Sequence, residues 1–456
     1  MTASDSTSEV LPDYSLLRAL LGRRSRRFGL GMHIPGGPLA YRSKESPLPL
    51  TEAEEAILAF SACGITGHAL EDLDYEQGGS RVAGLVGRTA GSADGIQNVV
   101  FVVSNDTATY LLRRPDDLTR PQIDEMTRLA EEGAFTELYR RTRVKIRDGR
   151  TVLPRETPSN LECNFWSLYA PGSTYFLPIN DLSFFVINML LDTFSESFGF
   201  FVMDERASFR PAGLRRFARS RGGHLRDALK EQAKGTVAFL ENLAASTLCA
   251  EQGMMLQNVG LTVQAMGLGG FPHFSGHPFN WFEALGFRVN AMPIARYFGA
   301  GRFISAMLRL AGQNPPVHYP VGLERNGEVL LKAYCPPYYP SMEAAVRAVV
   351  ARKWGPEGLF QKGSASGGAW RDGAAVTGRI PRCSDAAIDA TISYCSYLYD
   401  RYGRFPVYYA PFFTLAGFQV THVDVEFYDR FYRPQALTDA QREHLVKWHG
   451  GSQHDG

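Results

Sequence analysis

The chain has 456 residues, 45% of them apolar and 21% charged, with a formal net charge of +1. Those proportions suit a soluble globular protein of two or three domains, or of one domain with large additions. A balance this close to neutral gives no general reason to expect nucleic acid or acidic membranes as partners.

Six cysteines are scattered with no C-x-x-C pair, so neither a zinc ribbon nor a redox dithiol is indicated. Their low density suits a reducing compartment. The first residues, MTASDSTSEV, are polar and acidic rather than basic and apolar, unlike a signal peptide. The most apolar window, Tyr175 to Phe194, contains Asn180, Asp181, Asn188 and Asp192. Charges at a bilayer centre cost roughly 2.5–3.5 kcal/mol each on insertion scales, so a buried helix is expected there. The expectation is a cytoplasmic protein.

In chain order, residues 1–13 are expected to be a disordered tail. Tyr14 to Leu21 reads as a short helix with Leu16, Leu17, Leu20 and Leu21 on one side. It runs into Arg23-Arg24-Ser25-Arg26-Arg27. Two explanations are open for that run: a solvated basic helix end favoured by the helix dipole, or a phosphate grip of guanidinium and hydroxyl donors. Thr51 followed by Glu54 is a capping box opening a helix that stops near Gly64. Val99 to Val103 is a buried strand, and Thr107 to Leu112 its returning partner. Pro121 to Glu132 reads as a polar helix, and the arginine-rich Arg206 to Gly223 as a solvated face.

Leu225 to Ala245 is a long helical pattern, followed by a second helix with Met255, Val259, Val263 and Met266 on one face. Gly267 ends it, and Gly269-Gly270-Phe271-Pro272 follow as a loop whose glycines permit close backbone approach to a flat ligand. Further on, Asn326-Gly327 is a hairpin turn, Met342 to Val350 a helix, and Ser384 to Tyr402 another. Gly363-Ser364-Ala365-Ser366-Gly367 lacks a serine at the centre of a hydrolase elbow and reads as a loop. His273 and His277 lie among prolines and glycines, against ligation from one helix face. His422 and Asp424, with His444 and His449, are read as hydrogen-bonded core groups. A five-residue step sets the last two on different helix faces, so no metal is expected.

Several of these phrases resemble the nitroreductase-like FMN enzymes. Arg23, Arg24, Ser25 and Arg27 match the R-R-S-x-R run that follows that family's first helix. Gln257-Asn258, Leu261, Ala265, Gly267-Leu268 and Gly269-Gly270 are similar to its central helix and following loop. Gly64-Ile65-Thr66-Gly67 resembles a phrase of the azoline-oxidising branch. Gly91-Ser92 and Asp94 stand near the family's P-S-x-x-N phrase, with both prolines missing and aspartate in place of asparagine.

The resemblance implies an α+β fold with a mixed or antiparallel sheet flanked by helices. Residues 14–112 and 225–335 would form the core, with 113–224 an insertion and 336–456 an extension. It implies FMN as cofactor, NAD(P)H as a possible electron donor, a homodimer, and hydride transfer at flavin N5 to or from a small organic or peptide-derived substrate. Arg23, Arg24, Ser25 and Arg27 would hold the phosphate and ribityl chain. Ser92, Asp94, Gly269, Gly270, Phe271 and Pro272 would lie along the ring. No catalytic side chain is assigned. The alternative is a protein of this fold that only binds or stores flavin.

Overall fold

The computed structural model describes residues 14–70, 84, 86–92, 95–157, 159–228, 230, 233–274, 278–356, 358–360, 369–407 and 416–450. The expected tail 1–13, Asp94, His277 and the 363–367 loop lie outside them. The architecture is α+β. Its centre is a six-stranded sheet built from β1 (Val99–Ser104), β2 (Ala108–Leu112), β3 (Arg143–Asp148), β4 (Thr174–Asn180), β5 (Gly269–Phe274) and β6 (Ala416–Thr421). They are ordered β5-β6-β4-β1-β2-β3, and every neighbouring pair is antiparallel. Among the described residues no helix is long and apolar enough to cross a membrane.

The sheet order corrects the expected division of the chain. Strand β4, buried at all seven positions, sits between β1 and β6, although it comes from the supposed insertion. Strand β6 comes from the supposed extension and separates β4 from β5. Both segments therefore supply strands to the central sheet. The window from Tyr175 to Phe194 is also not one helix. Its first part is β4, and Asp181 separates that strand from a helix at Leu182–Thr193. A fully apolar run suits a strand buried on both faces as well as it suits a helix.

The helices that position the site are α1 (Leu16–Gly22), α2 (Glu52–Cys63), α3 (Val237–Met266), α4 (Val425–Phe431) and α5 (Asp439–His449). Helix α2 starts at the predicted capping box. Glu54 N donates to Thr51 Oγ1, and Thr51 N donates back to Glu54 Oε2 at 2.6 Å. Helix α3 replaces the two helices expected between Leu225 and Met266. It runs unbroken for 30 residues, roughly 45 Å. Thr236 caps its start through the Phe239 amide, and Gly267 ends it in the left-handed region at φ 84°. Met255, Val259, Val263 and Met266 pack against α2 and the sheet, as their spacing predicted.

Candidate functional site

The chain after α1 passes beside the end of α3. Arg26 forms an isolated antiparallel bridge with Gly270 on β5. Two residues earlier, Arg24 and Ser25 face solvent. The segment from Arg24 to Phe28 forms one wall of an open cleft of about 700 Å³. Trp166, Phe427, Tyr428 and Tyr432 line it as well, with Arg433 adding another exposed cation.

Aromatic stacking fixes the floor. Phe28 is stacked on Phe427 with ring centroids 4.0 Å apart and on Trp166 at 6.1 Å. The Phe28 amide donates to Tyr428 Oη at 3.2 Å. Asp424 accepts from the Phe427 amide at 2.9 Å and so caps α4. Offset ring pairs of this kind contribute about 0.5–1.5 kcal/mol beyond the area they bury.

The arginines divide into two sorts. Arg26 is buried and committed to protein. Its Nε donates to Ala436 O at 2.7 Å, its Nη1 to Gln264 Oε1 at 2.7 Å and its Nη2 to Gly22 O at 3.2 Å. Burial pushes its guanidinium down to about 10. Arg24 is exposed and bonds to nearby carbonyls, those of Leu21 and Arg23.

Arg27 is half-buried, and burial lowers its pKa too. Its Nη2 donates to Asn164 Oδ1 at 2.6 Å and to Ser167 Oγ at 3.1 Å. The guanidinium lies over the rings of Phe271 at 4.2 Å and Trp166 at 5.1 Å. Its Nε is buried and has no hydrogen-bond partner among the described residues. Arg27 lines the cleft beside the exposed Arg24 and Ser25, and guanidinium and hydroxyl groups together are a donor set suited to a phosphate. Arg23, the remaining expected anchor, is exposed and lies outside the cleft lining.

The glycine phrase after the helix is a strand, not a loop. Gly269 to Phe274 pairs residue by residue with Thr421 to Ala416. A Cβ on Gly269 would meet Arg26 O at 2.7 Å, and one on Gly270 would meet Gln419 O at 2.6 Å. These glycines permit close packing of backbone on backbone, rather than approach of a flat ligand. Phe271 is buried beneath Arg27, and Pro272 pairs with Phe418.

Ser92 belongs to a different place. Its hydroxyl donates to Glu251 Oε2 at 2.7 Å and accepts from the Gln97 amide at 3.0 Å. Glu251 and Gln264, the residue that holds Arg26, are thirteen positions apart on α3, roughly 20 Å at 1.5 Å per residue. The cleft and Ser92 of one chain are that far apart.

Sequence reasoning missed Trp166, Phe427, Tyr428 and Tyr432. The density of aromatics around residue 430 was visible, but nothing in it linked that segment to an arginine run some 400 residues earlier. Comparison with known proteins adds little. No family model matches the chain, and no curated protein matches it. A crystal structure of "a putative nitroreductase" from Ralstonia eutropha JMP134 is similar over 60% of this chain and 76% of that one, at 11% identity and a TM-score of 0.28. So loose a superposition carries no argument about fold or chemistry.

Proposed function

We propose that the protein binds FMN in this cleft and is a flavin-dependent oxidoreductase on a nitroreductase-like scaffold. The observation that carries this reading is the shared wall: Arg24, Ser25 and Arg27 line one cleft with Trp166, Phe427 and Tyr428. Guanidinium and hydroxyl donors suit a phosphate, and flat rings suit a planar heterocycle. The resemblance of the R-R-S-x-R run assigns phosphate binding to these three residues and to Arg23, which lies outside the cleft lining. Bound flavin would supply hydride acceptance and donation. The chain's own residues anchor the phosphate, present an aromatic face and keep water from that side.

The substrate is a small organic or peptide-derived molecule, with NAD(P)H as donor if the enzyme runs as a reductase. We place the protein in the cytoplasm, in keeping with a low density of cysteines that includes no C-x-x-C pair. We also infer a homodimer. Helix α1 exposes Leu16, Leu17, Leu20 and Leu21, and α3 exposes Phe239, Leu243 and Met254. A second copy covering these side chains would remove an unusually apolar surface from water.

A second reading, flavin binding without turnover, is favoured by one observation: strand pairing already occupies the backbone of Gly269 to Phe274, expected to border the ring. The visible spectrum of the purified protein separates the readings. Yellow protein bleached by NADPH is a reductase, and protein bleached only by an organic substrate is a dehydrogenase. Yellow protein that no reductant bleaches supports storage, and protein that neither carries nor takes up FMN contradicts both readings.

A further inference from the structure

Away from the cleft, Glu54 of α2, His422 just after β6, and His444 and His449 of α5 converge on one point. Glu54 Oε1 lies 3.2 Å from His422 Nε2, 3.0 Å from His444 Nε2 and 3.3 Å from His449 Nε2. The Nε2 atoms of His422 and His449 are 3.1 Å apart. Glu54, His422 and His444 are buried, while the side chain of His449 is 18% exposed. The five-residue step does separate His444 and His449 around the helix. His449 is the last residue of α5, however, and its ring reaches back over the helix end to the same point.

Two rings are already oriented as metal ligands are. His422 Nδ1 is 2.9 Å from Leu48 O, and His444 Nδ1 is 2.7 Å from Met266 O. A carbonyl only accepts, so each Nδ1 carries a hydrogen, the arrangement that leaves Nε2 of a metal-binding imidazole free to ligate on the side of Glu54. Among the described residues the buried His444 Nε2 has no well-formed hydrogen bond, although it lies 3.0 Å from Glu54 Oε1. Lone pairs facing a carboxylate oxygen repel, and a bound cation among them relieves that repulsion. Glu54 is divided in the same way. Its Oε2 accepts from the amide and hydroxyl of Thr51, which leaves Oε1 as a single inward ligand.

We propose that Glu54, His422, His444 and His449 form a structural zinc site. Three imidazole nitrogens and one carboxylate oxygen are a normal zinc donor set. Bonds of about 2.0–2.1 Å in a tetrahedron set ligand atoms roughly 3.3–3.4 Å apart; four of the separations here are 3.0–3.3 Å, and all the ligand atoms lie within 4.8 Å of one another. Four protein ligands leave no open position, so the ion holds structure rather than activating water. It ties the C-terminal helix α5 to α2 and to the end of β6. Residue His422 stands three positions before α4, which carries Phe427 and Tyr428 to the cleft. The ion therefore steadies that aromatic wall from behind. The site is independent of the flavin reading.

The test uses tag-free, full-length protein, stripped with chelator and titrated with Zn²⁺ against a chromophoric competitor. The expected result is one zinc per chain, with chelation lowering the unfolding temperature and exposing α5 to protease. His449→Ala, at the partly exposed corner, keeps the fold by circular dichroism. It weakens zinc binding by more than the roughly 10–100-fold that losing an outer partner of a ligand costs. Co²⁺ in place of zinc gives the intense visible bands of a tetrahedral centre in the wild type, and these disappear in His444→Ala. Wild-type protein that takes up no zinc overturns the proposal, as does a His449→Ala variant with unchanged affinity. Colour and metal content are read separately: yellow protein without zinc refutes only the metal site, and colourless protein with zinc refutes only the flavin reading.

Discussion

Arg26 and Gln264, 238 residues apart in the chain, are joined side chain to side chain, Nη1 donating to Oε1 at 2.7 Å. Gln264 Nε2 in turn donates to Thr438 Oγ1 at 3.2 Å, at the start of α5. One buried guanidinium thus connects the arginine run, the end of α3 and the C-terminal helix.

From that relationship the arginines should separate by role. Arg26→Ala leaves Gln264 and two carbonyls without their donor and should lower stability by at least about 2 kcal/mol, given roughly 1.5–3 kcal/mol for a hydrogen bond to a charged group. Arg24→Ala touches an exposed side chain and should change stability by less than about 0.5 kcal/mol. Urea unfolding of the two variants measures both values. Equal stability losses would contradict the division.

The glycines of β5 are assigned to packing, and Gly270→Ala tests that assignment. The new methyl would lie 2.6 Å from Gln419 O and 2.7 Å from Phe418 Cε1. Overpacking of this kind costs typically about 1–3 kcal/mol. A lowered unfolding midpoint is expected whether or not ligand is present. A variant of native stability that had lost only a ligand would show that the glycine serves the ligand instead.

Glu251 predicts a pH dependence. Burial pushes its carboxyl above the ordinary 4.5, against the bonds from Ser92 and the Val99 amide and the nearby charge of Arg88. The folded state then holds the proton more tightly than the unfolded state. Its contribution to stability is full below 4.5 and is lost as pH rises from there through the raised folded value. Glu251→Gln keeps the shape and cannot ionise. Urea midpoints measured from pH 4 to 8 should therefore fall less steeply for the variant, and parallel profiles would contradict the assignment.

Asp181 accepts from Arg114 Nη1 at 2.6 Å with both side chains nearly enclosed. Arg114 keeps Asp117 as a second partner. Asp181→Ala should therefore cost near the lower end of the range for breaking a buried pair, about 3 kcal/mol. A thermal or urea unfolding curve indistinguishable from wild type would show that Asp117 alone satisfies the guanidinium.

Local signals in the sequence were dependable where one residue type decides a backbone state. The Thr51–Glu54 capping box, the Gly267 helix end, the Asn326-Gly327 turn and the buried strand from Val99 all appear as read. Periodicity failed between Leu225 and Ala245. Helix α3 starts only at Val237, because the Lys234–Thr236 segment pairs with Phe201–Met203 instead. The glycines after Met266 were legible as close approach but not as approach to what. Pairing between Gly269 and Thr421 joins positions 152 apart, and no local pattern records it. For the same reason the sequence showed the arginines but not their aromatic floor, and the histidines but not Glu54 between them.

The central claim is that Arg24 and Arg27 anchor a flavin phosphate, and FMN affinity measures it most directly. Wild type, Arg24→Ala/Arg27→Ala and Arg23→Ala are stripped of bound flavin and titrated with FMN by fluorescence quenching. Each lost charged bond of roughly 1.5–3 kcal/mol corresponds to at least about tenfold in Kd. The account predicts a loss of 100-fold or more, roughly, for the double variant, with Arg23→Ala close to wild type. Equal FMN affinity in wild type and the double variant, or no FMN binding by any of the three, would contradict it.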